Sequence, residues 1–547
     1  MRIFAVIFLL LAATATAQTW DNYSDTWVAT DGLGRTLPTA AEVGLPKADK
    51  FVGIFYFVWL EGKGPVYDIT KILAANPAEP RWGPPGAFHF WGEPLFGYYR
   101  SDDEFVLRKH AQMLSDAGVD VVFFDVTNAL TYDSTRETLC RVWSEWRRLG
   151  NRTPQIAFLA NSHSERVVQH LYNDFYAKGL YPELWFHWLG KPLILASTDG
   201  VSPDVQKFFT FRQSWAWTKG HKWFGDGKDR WPWLDHHPQT PGWHERPDKP
   251  EQISICIAQH PISNIGRSFH NGKQPPPDQQ RPVEGLCFAE QWRRAHAVNP
   301  QMIFVTGWNE WIAQGFVLSD HGPRPHSILG KPLKMGDTFF VDQYNMEYSR
   351  DIEPMRGGYG DAYYMQLVAN IRRFKGARPQ LPVIAQPITI DGSFDDWREV
   401  MPEYRDTVGD PVKRNHPGWK DQPPFVNNTG RNDIIAAKVS YDAANVYFYV
   451  RTKDPLTPMT DPDWMRLLVG NYVFRAEAPG DAKFAFCDNE MEVAIPLSLL
   501  GLDKLPATVD FKWTDNVPVS SDVSVFTTTG DAAPNDHFQY RAVLTVN

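Results

Sequence analysis

Glu310 stands between Trp308 and Trp311 in the stretch FVTGWNEW, residues 304–311. A carboxyl group set among indole rings loses hydration, which raises its pKa toward the range where it can hand over a proton. Asp125 follows a second apolar run, VDVVFF, at 119–124. Cleavage of a glycosidic bond generally needs two carboxyl groups, one protonating the leaving oxygen and one attacking or activating water. Glu310 and Asp125 are the best such pair by residue type and setting, with Asn309 placed to hold a hydroxyl or to orient its neighbour. The plain alternative for Glu310 is a buried salt bridge to one of the arginines.

Both acids end apolar runs, so the elements that carry them matter. Continuous hydrophobic segments at 51–59, 119–128, 155–161, 192–197, 208–215, 253–259 and 302–308 read as buried strands, and 338–344 as an eighth. Helical patterns fall between several of them, at 102–117, 134–149 and 165–178, and a closing helix is expected at 362–375. Eight strands alternating with helices predict a (β/α)₈ TIM-like barrel. An open doubly wound sheet is the competing α/β fold, but no GxGxxG follows the first strand and no P-loop is present.

In such a barrel the reactive residues sit at the C-terminal strand ends. Those ends supply Tyr56 and Trp59, Asp125 and Asn128, Asn161 and His163, Gln213 and Trp215, His260, and Trp308 to Trp311. As a set they describe a polar, aromatic cup for a hydroxyl-rich ligand, although any one of them alone would be ordinary capping. Loops 60–99 and 216–252 are long and rich in Trp, His, Gly and Pro, as functional loops often are. After about residue 380 the rhythm changes. Alternating segments such as DIIAAKVS, NVYFYVRT, EMEVAIPL and TVDFKWTD predict an all-β sandwich over 386–547.

The 547-residue chain is 43% hydrophobic and carries 22 Trp, 34 Phe and 20 Tyr. That is a globular, aromatic-rich protein with more than one domain. Its net charge of -9 argues against a nucleic-acid partner. The start, MRIFAVIFLLLAATATA, has a basic residue, an apolar run too short to span a bilayer and a small-x-small end. Residues 1–17 therefore read as a signal peptide cleaved near Ala17, with the mature chain secreted or periplasmic, no membrane span, and the barrel over 18–380. Cys140, Cys256, Cys287 and Cys487 lack metal-ligand spacing. No cofactor is expected; Asp391, Asp395 and Asp396 could take a structural calcium.

A strand running into Trp308-Asn309-Glu310-Trp311, followed later by Asp351-Ile352-Glu353-Pro354, resembles the glycoside hydrolase family 71/99-like group, which includes endo-α-mannosidases. The resemblance implies a glycosidase acting on an oligo- or polysaccharide. That family's pattern, similar to WNEWxEG, places its two carboxylates three residues apart. The first maps to Glu310 and the second to Ala313, which has no proton to give. A replacement is expected from Asp125, or from the acids Asp342, Glu347, Asp351 and Glu353 further on. Failing that, Ala313 would mark a non-catalytic glycan-binding protein; a lyase or esterase would want a basic cluster that the strand ends lack. The C-terminal stretches ITIDGSFDDW and MEVAIPLSLLGL resemble carbohydrate-binding family 9-like modules, with Trp397, Trp464 and Trp513 available as rings.

Overall fold

The computed structural model describes residues 20–319, 325–502 and 504–545; the expected signal peptide lies outside them. Seven of the apolar runs form parallel strands: β1 Phe51–Tyr56, β2 Val121–Val126, β3 Gln155–Ala160, β4 Lys191–Leu195, β5 Thr210–Arg212, β6 Pro250–Cys256 and β7 Met302–Thr306. They hydrogen-bond in the order β5-β4-β3-β2-β1-β7-β6, every pair parallel. Strands covered on both faces need apolar residues on both, which is why they read as unbroken runs instead of alternating ones.

The sheet curls around a second aromatic core. Gly53, in the middle of β1, is central to it. A Cβ there would lie 2.2 Å from the Phe123 ring, so a side chain would collide with β2. Without one, Phe123 and Phe304 stack at 4.5 Å and 10° inside the curve, joined by Phe55, Leu159, Leu195 and Trp231. Helices cover the outside: α1 Glu104–Ala117, α2 Asp133–Arg148, α3 Ser164–Leu171, α4 Leu286–Val298 and α5 Ala362–Lys375. The Asp103 side chain accepts from the Phe105 amide at the start of α1, and Gly118 ends it in the left-handed region at φ +84°.

The expected eighth strand is elsewhere. Residues Thr338–Phe340 (β9) pair antiparallel with β8, Ile312–Val317, whose other edge takes Phe88–Phe90. The reason is that β7 already pairs directly with β1 and leaves no edge there. The interval between β5 and β6 is occupied instead by residues 230–234, from the long loop. Bridges join Gln213 to Arg230 and Ala216 to Leu234, and the Gln252 amide donates to the Pro232 carbonyl at 2.8 Å. Sequence patterning missed this stave because Trp231-Pro232-Trp233 carries no strand periodicity.

Beyond Gln380 the chain forms a two-stranded sheet, Arg414–His416 with Phe425–Asn427, and two larger ones. One orders Pro382–Val383, Tyr540–Leu544, Ala507–Asp515, Arg466–Val469 and Tyr472–Phe474; the other Glu403–Arg405, Ile434–Tyr441, Asn445–Thr452, Glu490–Pro496 and Lys483–Cys487. Phe448 and Phe511 meet between them at 5.3 Å. Residues 382–383 pair parallel with Val543 and Leu544. Trp397, Trp464 and Trp513 are all buried, so none presents a ring to solvent. Cys140, Cys256, Cys287 and Cys487 are free thiols.

This C-terminal part is tied to the first through buried polar bonds. Arg414 donates to Asp103 at 2.7 and 2.9 Å, Gln112 to Asp410 at 2.8 Å, and the Trp419 amide to the Tyr98 carbonyl at 2.8 Å. Removing one member of such a pair strands its partner in a dry setting. Expression of residues 18–385 alone is therefore expected to yield insoluble or aggregated protein, while the full chain is soluble. A soluble fragment with an unchanged melting temperature would show the C-terminal part to be an independent module.

Candidate functional site

After β7 the backbone is pinned on three sides. The Gly307 amide donates to the Arg350 carbonyl (2.8 Å) and the Trp308 amide to the Phe55 carbonyl (2.8 Å). Asn309 accepts from the Phe57 amide through Oδ1 (2.8 Å) and donates to its carbonyl through Nδ2 (3.0 Å), so it continues the β1–β7 ladder with a side chain. The Glu310 amide donates to Asp351 Oδ1 at 2.6 Å, and the Trp91 indole donates to Asp351 Oδ2 (3.1 Å) and to the Glu310 carbonyl (3.2 Å). Every bond here fixes backbone position. The Glu310 side chain is left to point into a cleft.

That cleft, about 730 Å³, lies at the C-terminal strand ends. Its walls are mostly rings, among them Trp59, Phe88, Trp215, Trp217, Trp233 and Trp419. Its polar groups include Asp125, Asn128, His260, Glu310, Asp342 and Arg350, with Glu61 and Lys63 also in the lining. Glu310 Oε2 accepts from Arg350 Nη2 (2.6 Å) and from Gln343 Nε2 (2.7 Å). The expected alternative of a salt bridge is thus present, but it engages one oxygen. Burial pushes the Glu310 carboxyl up to about 8; Arg350 pulls against that, and the charges of Asp342 and Asp351 add to it. With both donors on Oε2, a retained proton resides on Oε1.

Asp342 approaches the same guanidinium nitrogen, with Oδ1 3.7 Å from Arg350 Nη2. Its nearest oxygen and Glu310 Oε2 are therefore no farther apart than those two legs laid end to end. The register of β8 and β9 pairs Gly315 with Phe340. The paired stretch ends there: Asp342 lies two residues past it in a bend, while Ala313 pairs with His89, and both Asp342 and Ala313 line the cleft. Asp125 also lines it, buried, with Oδ1 accepting from the Thr127 amide at 3.0 Å. Burial raises its carboxyl pKa, Thr127 opposes, and the charge of Asp342 adds. His260 Nδ1 accepts from the Ser263 amide at 2.9 Å, so the neutral ring carries its proton on Nε2. Burial, then Arg350, pushes its pKa down to about 4, so it stays neutral at ordinary pH.

Of the residues expected from sequence, Trp59, Asp125, Asn128, Trp215, His260 and Glu310 meet in the cleft. The others do not. Tyr56 is buried against His110 Nδ1 (2.7 Å), and Trp308 and Trp311 are fully buried, Trp311 stacked on Trp91 at 4.4 Å. Asn309 is consumed by Phe57. Asn161 and His163 are exposed after β3, and Gln213 is bridged to Arg230; none of the three lines the cleft.

The expected replacement acids Glu347, Asp351 and Glu353 are also outside it. Glu347 accepts from Ser268 and Gln274, and Glu353 from Tyr99, Trp311 and His110. Asp351 holds the Glu310 amide from behind. Each is a buried carboxylate already satisfied by donors. Asp391, Asp395 and Asp396 are not drawn together either: Asp391 caps the Ser393 amide, Asp396 the Thr389 amide, and Asp395 pairs with Arg398.

Arg350, Trp233 and Trp419 were missed. Arg350 adjoins the Asp351-Ile352-Glu353-Pro354 stretch, and its position in the chain was the available signal. Trp419 comes from the C-terminal part and reaches back between Phe90 and Tyr98, which local pattern cannot foresee.

No family model and no curated protein matches this chain. Among solved structures it is similar to a family GH99 endo-α-mannosidase from Bacteroides thetaiotaomicron, at 14% identity and a TM-score of 0.36, over 59% of this chain and 97% of the other. The same enzyme in complex with bis-tris-propane aligns at 13% identity and a TM-score of 0.34, with the same coverage.

Proposed function

We propose that the protein is an exported glycoside hydrolase that cleaves a glycan bound in the aromatic cleft. On this reading the curled sheet is a (β/α)₈-type barrel completed by residues 230–234, and the C-terminal sheets form a sandwich that walls the cleft with Trp419. Glu310 is the general acid. Asp342 is the second carboxylate, reaching from β9's end the place that Ala313 leaves empty.

The observation that carries the reading is the division of labour on Glu310: Oε2 held by Arg350 and Gln343, Oε1 without a partner among the described residues, in a cleft lined by rings. Flat rings cover the apolar faces of sugars, while His260 Nε2 and Asn128 offer donors for hydroxyls. The non-catalytic alternative rests on Ala313; what supports the catalytic reading against it is Asp342, a second carboxyl group beside Arg350 in the same cleft. A lyase or esterase finds no basic cluster here; Arg350 is already bonded to a carboxylate.

The mechanism follows from these groups. Protonated Oε1 delivers its proton to the glycosidic oxygen as the bond to the anomeric carbon breaks, which leaves Glu310 ionised against Arg350. Asp342 bonds through a carboxyl oxygen to the anomeric carbon as the leaving oxygen departs, and water, giving a proton to Glu310, then displaces Asp342 and completes the hydrolysis. The closeness of its oxygen to Oε2 lies short of the roughly 6.5–9.5 Å of inverting pairs and favours retention of configuration.

Glu310→Gln is expected to lower turnover by ~10²-fold or more with ligand affinity kept. The wild-type rate should fall with rising pH on a limb centred near 8, as Oε1 loses its proton, and that limb should be absent in the variant. Melting curves recorded alongside separate loss of chemistry from loss of the Arg350 ion pair; full activity in a folded Glu310→Gln protein would end the assignment.

Asp342→Asn should abolish turnover to a similar extent and Asp125→Asn should act mainly on substrate affinity. If Asp125→Asn alone removes turnover, Asp125 is the partner acid. Proton NMR of the first product formed on an active glycan substrate is expected to show the substrate's anomeric configuration.

A further inference from the structure

A group of buried carboxylates away from the cleft has no role in this chemistry. Asp406 follows the strand Glu403–Arg405, Asp410 lies four residues on, and Asp531 opens the strand Asp531–Ala533. Carboxylate oxygens of the three lie within 4.8 Å of one another, and the residues are 0%, 3% and 3% exposed. Three like charges at such spacing without water repel strongly. Something must offset them.

The surrounding protein offsets them only in part, through the charges of Lys109 and Lys512. Asp531 accepts from the Ile434 amide (2.6 Å) and the Ala532 amide (2.8 Å). Asp410 Oδ2 accepts from Gln112, but its Oδ1 has no donor. Asp406 has no donor on either oxygen, though it is completely buried. Among the described residues no lysine or arginine forms an ion pair with any of the three. The nearby Lys109 donates to Gln112 Oε1 at 3.1 Å, and Lys512 donates to the Pro534 carbonyl. Asp433, whose Oδ2 accepts from the Gly409 amide at 2.8 Å, presents a further unbonded oxygen, Oδ1. A fully buried carboxylate with no donor on either oxygen, set against two others, presents a group of oxygens that suits a hard cation.

We propose that Asp406, Asp410 and Asp531 bind a calcium ion, with Asp433 within reach as a further ligand. The donors are all carboxylate oxygens, which favours a hard cation over zinc. Oxygens on opposite sides of a calcium ion, each about 2.4 Å from it, stand about 4.8 Å apart, which these three satisfy. Magnesium demands shorter bonds in a near-ideal octahedron and keeps its waters, for which a closed, irregular cage is poorly suited. The ion would fasten the 406–410 loop to the strand at 531, and so to both C-terminal sheets. Through the Asp410–Gln112 bond it would also steady the contact with α1.

The test uses the full-length protein. Mass-spectrometric metal analysis after dialysis in metal-free buffer, calorimetric titration of chelator-stripped protein with calcium chloride, and melting curves in calcium, magnesium and EGTA are the measurements. Expected are one calcium per chain, a melting temperature higher in calcium than in EGTA, and a smaller rise in magnesium. Asp406→Asn should weaken calcium affinity at least tenfold and cancel the calcium-dependent rise. In EGTA the variant should melt no lower than wild type, since a buried charge has been removed.

No calcium uptake by wild type at millimolar concentration, with identical melting in calcium and EGTA, would overturn the proposal whatever the variant does. So would an Asp406→Asn protein that keeps the calcium-dependent rise, or one that is more stable than wild type in calcium and EGTA alike.

Discussion

The cleft depends on how Arg350 is held. Its guanidinium is buried, 2.6 Å from Glu310 and 3.7 Å from Asp342, and its face lies over the Trp233 ring at 5.5 Å. One residue on, Asp351 grips the Glu310 amide; the Arg350 backbone itself accepts from Gly307. Segment 350–351 thus holds the end of β7 by main chain and sets the charge of its side chain at once. A buried pair of this kind is worth little against an apolar replacement, yet losing one partner is severe, about 3–5 kcal/mol. That asymmetry explains why so many donors surround one glutamate. The arrangement keeps a carboxyl in a dry place without letting it become a plain ion pair, because only one oxygen is engaged.

The same constraint explains which expectations from sequence failed. The strands and α1, α2 and α5 were legible because burial on two faces or one leaves a periodic trace. Glu310 and Asp125 were legible as polar residues ending apolar runs. What sequence could not separate was a tryptophan that lines a cleft from one that holds it up. Trp308 and Trp311 flank Glu310 in sequence, yet both turn into the core, while Trp59, Trp215 and Trp233 face the cleft from distant strand ends. Neighbours in a strand-to-loop turn point to different sides, so adjacency to an acid says little about sharing its surroundings.

Asp342 was the harder case. It reaches the cleft just past β9, which pairs antiparallel with β8 across about twenty residues of intervening chain. A family pattern with two carboxylates three residues apart on one strand can be served equally by carboxylates on two paired strands, since cross-strand neighbours are as close as neighbours on one face. The acids nearest in sequence to the familiar motif, Asp351 and Glu353, are the ones used for structure: each is fully buried and saturated with donors. Counting donors distinguishes the two kinds. A carboxylate whose lone pairs are all taken has no capacity left for a substrate.

That criterion applies to both halves of the chain and yields opposite readings. In the cleft, an unbonded oxygen faces space for a ligand, and burial favours a proton on it. In the C-terminal part, Asp406 has two unbonded oxygens but is sealed from solvent and faces other carboxylates. A proton could relieve one such charge; three converging carboxylates are better matched by a divalent ion, which each of them can ligate at once. The two sites are connected mechanically. The segment that leaves Asp410 runs through Arg414, bonded to Asp103, and on to Trp419 in the cleft wall. An ion that fixed the 406–410 loop would fix the origin of that segment, and with it the approach of Trp419 to the cleft.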